Sequence, residues 1–402
     1  MHQPLHKSLW RRTRSLAPVG AIAVAALLVG CEDDENIPPG GTAGTSSGGT
    51  AGKSGAGNGG TAGTNAGNGG TAGVNAGGAS GAGNGGTAGA GNGGTAGAGN
   101  GGTAGGGAGG SAGGTTCGDA TGDGTLGTPT SVATGSDTTF VSPFDATPSP
   151  DGCTVYFTAV DAASGQGAVY SVAKDGTGIQ RIDQNGMLVA PVGLAVSTDG
   201  KTLYIADAAY GSGTNDTGAI LSLSTGGGSP SVVTAGRTPR SIAVVREGNA
   251  DQVYFGATND SGAASVFKAA AGSSTATEAG ATTGGEVGGI ASNDGTTIYL
   301  AAPDQHAVLN GTTKVVTDVM FGLASGVAVS TDGSAVLVAT RNSAGASGIL
   351  RVPVAGGTTS FKAIGTNLVE PAGLHRASNV EVYAFVDASG TNGAGSVWIA
   401  AK

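Results

Sequence analysis

One phrase recurs through the C-terminal two-thirds of the chain and limits its fold more than any other feature. Its clearest copy reads Pro191-Val-Gly-Leu-Ala-Val-Ser-Thr-Asp-Gly-Lys-Thr-Leu-Tyr-Ile-Ala-Asp207. Weaker copies are Pro143-Phe-Asp-Ala-Thr-Pro-Ser-Pro-Asp-Gly-Cys-Thr-Val-Tyr156, Gly288-Gly-Ile-Ala-Ser-Asn-Asp-Gly-Thr-Thr-Ile-Tyr299 and Gly326-Val-Ala-Val-Ser-Thr-Asp-Gly-Ser-Ala-Val-Leu337. Self-similarity at a spacing of about 20–50 residues means that one supersecondary unit is used repeatedly.

Each copy breaks into the same parts. A short apolar stretch opens with a small residue and an aliphatic, as in Gly193-Leu194, Ser241-Ile242, Gly289-Ile290, Gly326-Val327 and Gly373-Leu374. A turn follows at Asp151-Gly152, Asp199-Gly200, Gly248-Asn249, Asp294-Gly295, Asp332-Gly333 and Ser378-Asn379. Asp-Gly between apolar stretches is a strong hairpin signal. A second strand alternates around Tyr156, Tyr204, Tyr254, Tyr299, Leu337 and Tyr383. A third follows a glycine, at Gly167, Gly218, Gly348 and Gly395, and a fourth closes the unit, as in Ser231–Thr234 and Lys314–Thr317.

The second-strand positions step by 48, 50, 45, 38 and 46 residues. Four short strands in a unit of that length are the signature of a β-propeller blade, and helical periodicity is nearly absent. The fold expected is therefore all-β, a six-bladed β-propeller. The last copy reaches its third strand at Trp398 and stops at Lys402, so the sixth blade lacks a fourth strand. Residues within Thr130–Ser142 are expected to supply it and clasp the ring. A closed ring leaves no long sheet edge exposed.

The N-terminus reads as an address. His6, Lys7, Arg11, Arg12 and Arg14 precede an apolar run from Leu16 to Gly30. A run of about 15 residues fits a signal-peptide core and is short for a membrane span. Leu28-Val29-Gly30-Cys31 resembles the bacterial lipobox. That resemblance implies residues 1–30 as a lipoprotein signal peptide and Cys31 as the lipidated first residue of the mature chain. Several acyl chains give durable anchoring. Glu32 stands where lipoproteins retained in the inner membrane carry aspartate, so the outer membrane is the expected destination.

Residues 31–116 are expected to form a disordered Gly/Ala/Thr/Asn-rich tether. Asn-Gly-Gly-Thr-Ala-Gly starts at Asn58, Asn68, Asn84, Asn92 and Asn100, and Val74 is almost the only apolar bulk available to a core. Such a chain cannot offset its conformational entropy by burial. As a flexible coil of roughly 80 residues it reaches about 50 Å. The propeller is then assigned to residues 117–402. From Gly118 onward there are 13 basic and 23 acidic side chains, a net of −10, which disfavours binding to nucleic acid.

With Cys31 lipidated, Cys117 and Cys153 remain, either bridged in an oxidising compartment or as two inert thiols. The second strand ends in a polar residue in every copy: Asp161, Asp207, Asn259, Asp304, Asn342 and Asp387. Two readings are open. These residues could ring one mouth of the channel, where hard oxygen donors suit Ca²⁺, another divalent cation or a hydroxyl-rich ligand. Equally, Asp and Asn at strand ends bond their own backbone. Asp119-Ala-Thr-Gly-Asp123-Gly124 has the look of half an EF-hand loop, with Thr130 in place of the closing Glu. His306 and His375 lie in different blades, with no Ser/Asp motif beside either in the sequence.

The phrase Gly193-Leu-Ala-Val-Ser-Thr-Asp-Gly-Lys-Thr-Leu-Tyr-Ile-Ala-Asp207 resembles the SMP-30/gluconolactonase and NHL-repeat propellers, over roughly residues 135–402. In gluconolactonase-like enzymes a divalent metal is held by a first-blade glutamate, by asparagines that include one in a Pro-Asn-Gly phrase, and by an aspartate. Here that phrase reads Pro191-Val192-Gly193, the matching positions are Arg240, Gly288, Ser325 and Ala372, and the first blade offers Asp145. The expected function is a membrane-anchored envelope module that binds a protein, peptide or glycan. The alternative is a divergent metal-dependent lactonase-type hydrolase.

Overall fold

The computed structural model describes residues 116–402 except 185, 212–217, 283–284, 318–322, 342–345, 356–359, 364–367 and 390–393. The lipobox, the glycine-rich tract and Asn342 lie outside the described residues.

The strands form six four-stranded antiparallel sheets, one per copy of the phrase. Blade 1 holds β2 (Phe140–Pro148), β3 (Thr154–Asp161), β4 (Gly167–Ala173) and the two-residue β5 (Gln180–Arg181). Blade 2 holds β6 (Pro191–Val196), β7 (Thr202–Asp207), β8 (Ala219–Ser224) and β9 (Ser231–Ala235). Blade 3 runs through β10 (Ser241–Glu247), β11 (Ala250–Thr258), β12 (Ala264–Ala270) and β13 (Thr277–Thr282). Blade 4 comprises β14 (Gly289–Ala291), β15 (Tyr299–Ala302), β16 (Ala307–Asn310) and β17 (Thr313–Thr317). Blade 5 comprises β18 (Leu323–Val329), β19 (Ala335–Arg341), β20 (Ser347–Pro353) and β21 (Ser360–Ala363). Blade 6 joins β22 (Pro371–Arg376), β23 (Val382–Asp387) and β24 (Ser396–Ala401) to β1 (Thr130–Thr134). β1 pairs antiparallel with β24, Thr130 opposite Ile399 and Thr134 opposite Ser396, so the expected clasp closes the ring.

The Ser-x-Asp-Gly turn explains why the first two strands of a blade fold back as they do. In blades 1, 2 and 5 the serine hydroxyl donates to the aspartate, Ser149 to Asp151 at 2.5 Å, Ser197 to Asp199 at 2.7 Å and Ser330 to Asp332 at 2.8 Å. The same hydroxyl accepts the N–H that opens the second strand, from Thr154, Thr202 and Ala335 at 2.9–3.0 Å. The turn thus satisfies its own polar groups with local side chains.

The residue between serine and aspartate latches one blade to the next. Thr198 donates its N–H and hydroxyl to Asp251 of blade 3, at 2.9 and 2.6 Å. Thr331 donates both to Glu381 of blade 6, the N–H at 2.9 Å. Blade 4 has Asn293 at this place, and its amide donates to the Ser330 carbonyl at 2.8 Å. Blade 1 has Pro150, whose carbonyl accepts the Asn379 N–H at 3.1 Å.

One apolar cluster fills each interface between blades. Phe140, Phe157 and Val382 meet between blades 1 and 6, Leu194 and Leu203 face Val169 of blade 1, and Phe255 and Phe267 pack on Ile220 of blade 2. The remaining three interfaces have equivalent clusters. The first strands stand innermost and crowd one another. A Cβ on Gly326 would sit 2.5 Å from the Leu374 nitrogen, and one on Gly373 would sit 2.3 Å from an Asp145 carboxylate oxygen. Small residues at the start of each repeat therefore serve close approach around the axis.

A strap precedes β1 and crosses the face that carries the first-to-second turns. Cys117 is bridged to Cys153 at the turn of blade 1, closing 36 residues, and its N–H donates to Asp151. The strap then passes blade 6, where Asp119 accepts the Glu381 N–H, and reaches blade 5, where Gly122 accepts the Asp332 N–H. Gly124 is left-handed at φ +80° and gives its N–H to Glu381 at 2.8 Å, an arrangement that glycine adopts without strain. Asp123 accepts from the Arg351 guanidinium, at 2.8 Å on its carbonyl and 3.3 Å on its carboxylate. The carboxylate of the half-loop at Asp123 thus answers an arginine. Reducing the Cys117–Cys153 bridge should cost about 4 kcal/mol by the loop-entropy estimate for a 36-residue loop. Thermal melts with and without dithiothreitol check this, and an unchanged midpoint would contradict it.

Candidate functional site

The second strands end on the face opposite the strap, where the second-to-third and fourth-to-first loops gather. The structure sorts the expected ring residues into two groups. Asp207 is fully buried at the end of β7 and accepts N–H groups from Val189, Ala190 and Ala209 at 2.8, 2.9 and 3.1 Å. Burial pushes its carboxyl up, and these backbone bonds oppose the rise. Asp387 accepts N–H groups in the same place in blade 6, from Val369 and Glu370 at 3.2 and 2.9 Å. Asp304, in the 3₁₀ turn Pro303–Gln305, accepts the Glu286 N–H at 2.9 Å. These three pin the loop that delivers the chain to the first strand of their own blade.

Asp161 and Asn259 instead close hairpins. Asp161 accepts the Ser164 N–H and hydroxyl at 2.9 and 2.6 Å, and the Tyr170 hydroxyl at 2.8 Å. Partial burial raises its carboxyl, but the bonds from Ser164 and Tyr170 and the Arg181 charge outweigh this and hold it below the ordinary value. Asn259 accepts from Ser261 and Ala263 and donates to Glu278 at 3.2 Å. These are bonds of the kind that Asp and Asn at strand ends make with their own turns. Each described member is engaged by turns of its own blade, and among the described residues no three His, Cys, Asp or Glu side chains converge as a metal requires. His306 is left-handed at φ +47° and its N–H ends the 3₁₀ turn on the Pro303 carbonyl.

The positions where gluconolactonase-like enzymes hold their metal are also accounted for. Arg240 pairs with Glu286 at 3.1 Å, and the Ser325 hydroxyl donates to the Ala339 and Pro371 carbonyls. Asp145 takes the place that Gly193, Ser241, Gly289, Gly326 and Gly373 hold in the other copies. Its buried carboxylate accepts the Ala146 N–H at 2.8 Å and the Leu194 N–H of blade 2 at 2.7 Å. His375 of blade 6 lies 3.1 Å from both its oxygens. A histidine with no acidic neighbour in the sequence thus meets an aspartate across the seam where the ring closes, and this one carboxylate ties three blades together.

A groove of about 420 Å³ lies on the same face at blade 3, lined by Arg237, Asn259, Asp260, Phe267 and Glu278, among others. Of the expected ring residues, Asn259 lines it. Nothing in the repeat pattern marks the other four, because they come from a loop, a hairpin tip and the two outer strands.

No family model matches this sequence, and no curated protein matches it. Solved structures match in fold. A gluconolactonase from Xanthomonas campestris aligns at 16% identity with a TM-score of 0.47, over 68% of this chain and 89% of that one. Hydrazine synthase from Kuenenia stuttgartiensis aligns at 16% and 0.42, over 62% and 78%. An oligogalacturonate lyase solved with manganese aligns at 11% and 0.43, over 65% and 77%. At these identities the likeness concerns the propeller fold.

Proposed function

We propose that this chain is a lipid-anchored protein of the cell envelope whose β-propeller is a binding module for a glycan, peptide or protein. The anchor is Cys31 in the outer membrane, and the glycine-rich tract spaces the propeller from it. One observation carries the reading. The chain joins the propeller at Cys117, on the face of the first-to-second turns, and the strap covers that face at blades 1, 6 and 5. Among the described residues, the strap does not reach the opposite face, where the groove lies. A module anchored from one side and open on the other presents its loops outward, and loops on a rigid scaffold commonly carry recognition.

The test has two arms. Cys31→Ser should move the chain from the detergent to the aqueous phase in Triton X-114 partitioning; persistence in the detergent phase would refute the anchor. The lipidated chain held on a supported bilayer should bind separated envelope glycan or envelope protein saturably. Absence of saturable binding of both fractions would end the binding-module reading.

A further inference from the structure

Blade 3 departs from its neighbours at several linked places, and together they make the groove. In blade 2, Leu194 pairs with Ile205 and the pinning Asp207 stands two residues further on. In blade 3, Ile242 pairs with Phe255, and the equivalent position is Ala257. Without a carboxylate to collect its N–H groups, the incoming loop takes another course. Arg237 and Thr238 are both left-handed, at φ +70° and +45°, and the Arg237 carbonyl accepts the Thr258 N–H at 2.9 Å. Non-glycine residues seldom adopt that region, so the surroundings must enforce these angles.

What enforces them also shapes the groove. The Arg237 guanidinium lies over the Phe267 ring, 4.6 Å from its centroid, and its Nη1 bonds Asp260 at 2.8 Å. Glu278, across from Phe267 on β13, accepts the Ser265 hydroxyl and the Asn259 amide. Those two bonds hold its carboxyl below the ordinary value, so it is ionised at neutral pH. The result is a guanidinium laid over a buried aromatic ring between two exposed carboxylates, with an amide and the Ser261 hydroxyl beside them.

This set of groups selects a ligand by chemistry. Two carboxylates disfavour an anion, and Arg237 disfavours a cation. Donors and acceptors alternate over short distances, which suits adjacent hydroxyl groups that both give and accept hydrogen bonds. The volume falls within the range of small-molecule sites, about 300–1,000 Å³. We propose that the blade-3 groove is a subsite for a neutral, hydroxyl-rich sugar. This rests on the binding-module reading and narrows it to one ligand class and one place.

The full chain in detergent should be titrated calorimetrically with maltotriose, cellotriose, mannotriose and triacetylchitotriose, with digalacturonic acid as the charged comparison. At least one neutral trisaccharide should bind saturably, and digalacturonic acid more weakly. Glu278→Gln and Asp260→Asn should each weaken the neutral sugar tenfold or more, matching loss of a charge-assisted hydrogen bond worth about 1.5–3 kcal/mol. Both side chains are exposed, so the melting temperature should hold, and Asp175→Asn on blade 1 should leave binding unchanged. No neutral sugar binding saturably, tighter binding of digalacturonic acid, or binding indifferent to both groove variants would each overturn the proposal. If the sugars fail while envelope protein still binds the bilayer-held chain, the subsite falls and the binding module stands.

Discussion

Deleting residues 118–142 should abolish cooperative unfolding of the propeller. The deletion removes β1, which supplies the outer strand of blade 6 along Thr130–Thr134, and the first residues of β2. It takes Val132, Ala133 and Phe140 out of the cluster between blades 1 and 6, and Phe140 is fully buried against Phe157 and Tyr170. It also leaves the β24 edge unpaired, a template for association. A propeller is stable because every blade has two neighbours, so opening one seam exposes two apolar faces together. Near-UV circular dichroism during heating should show a broad, low-amplitude change in place of a sigmoid. A sharp melt at the parent midpoint would defeat the clasp as the closing element.

Replacing Glu381 by alanine should be the most damaging single substitution on the strap face. This buried carboxylate accepts four donors: the Gly124 N–H, the Thr331 N–H and hydroxyl, and the Tyr383 hydroxyl at 2.5 Å. Burial, and then the bond to Glu381, push the Tyr383 phenol far above its ordinary value. Each buried donor left without a partner costs about 1–3 kcal/mol, and water entry limits the sum. A loss of about 3–5 kcal/mol is expected, lowering the melting temperature by roughly 10 °C for a domain of this size. Glu381→Gln keeps one acceptor oxygen and should lose about half as much. Equal melts for wild type and Glu381→Ala would show that the strap is held by its other contacts alone.

The blade count and the clasp were legible because their signals are local. Asp-Gly turns, a tyrosine at a fixed offset and a missing fourth strand each lie within one repeat or at the chain end. The latches were half legible. Thr198 and Thr331 sit inside the recurring phrase, but their acceptors Asp251 and Glu381 lie 53 and 50 residues away in no motif. Asp145 and His375 are 230 positions apart, and only closure of the ring makes them neighbours. The strand-end acids are recognisable by type in the sequence, but which of the two readings holds for each is not. Whether a carboxylate faces solvent or the incoming loop depends on ladder register, which the phrase does not encode. The groove left least trace, since it arises where blade 3 has Ala257 at the register position of Asp207, two residues before the Asn259 that the sequence pattern marks.

The bridge at Cys117 also sets how the propeller meets mechanical load. A pull on the chain N-terminal to Cys117 passes through the sulfur atoms to Cys153, at the hairpin of blade 1. Residues 118–152, including β1, lie within the covalent loop and carry none of that tension. The strand whose peeling would open the ring is therefore out of the force path while the bridge is intact. Reduction moves the load onto the strap, whose contacts with blades 5 and 6 must then yield before β1 can be unzipped.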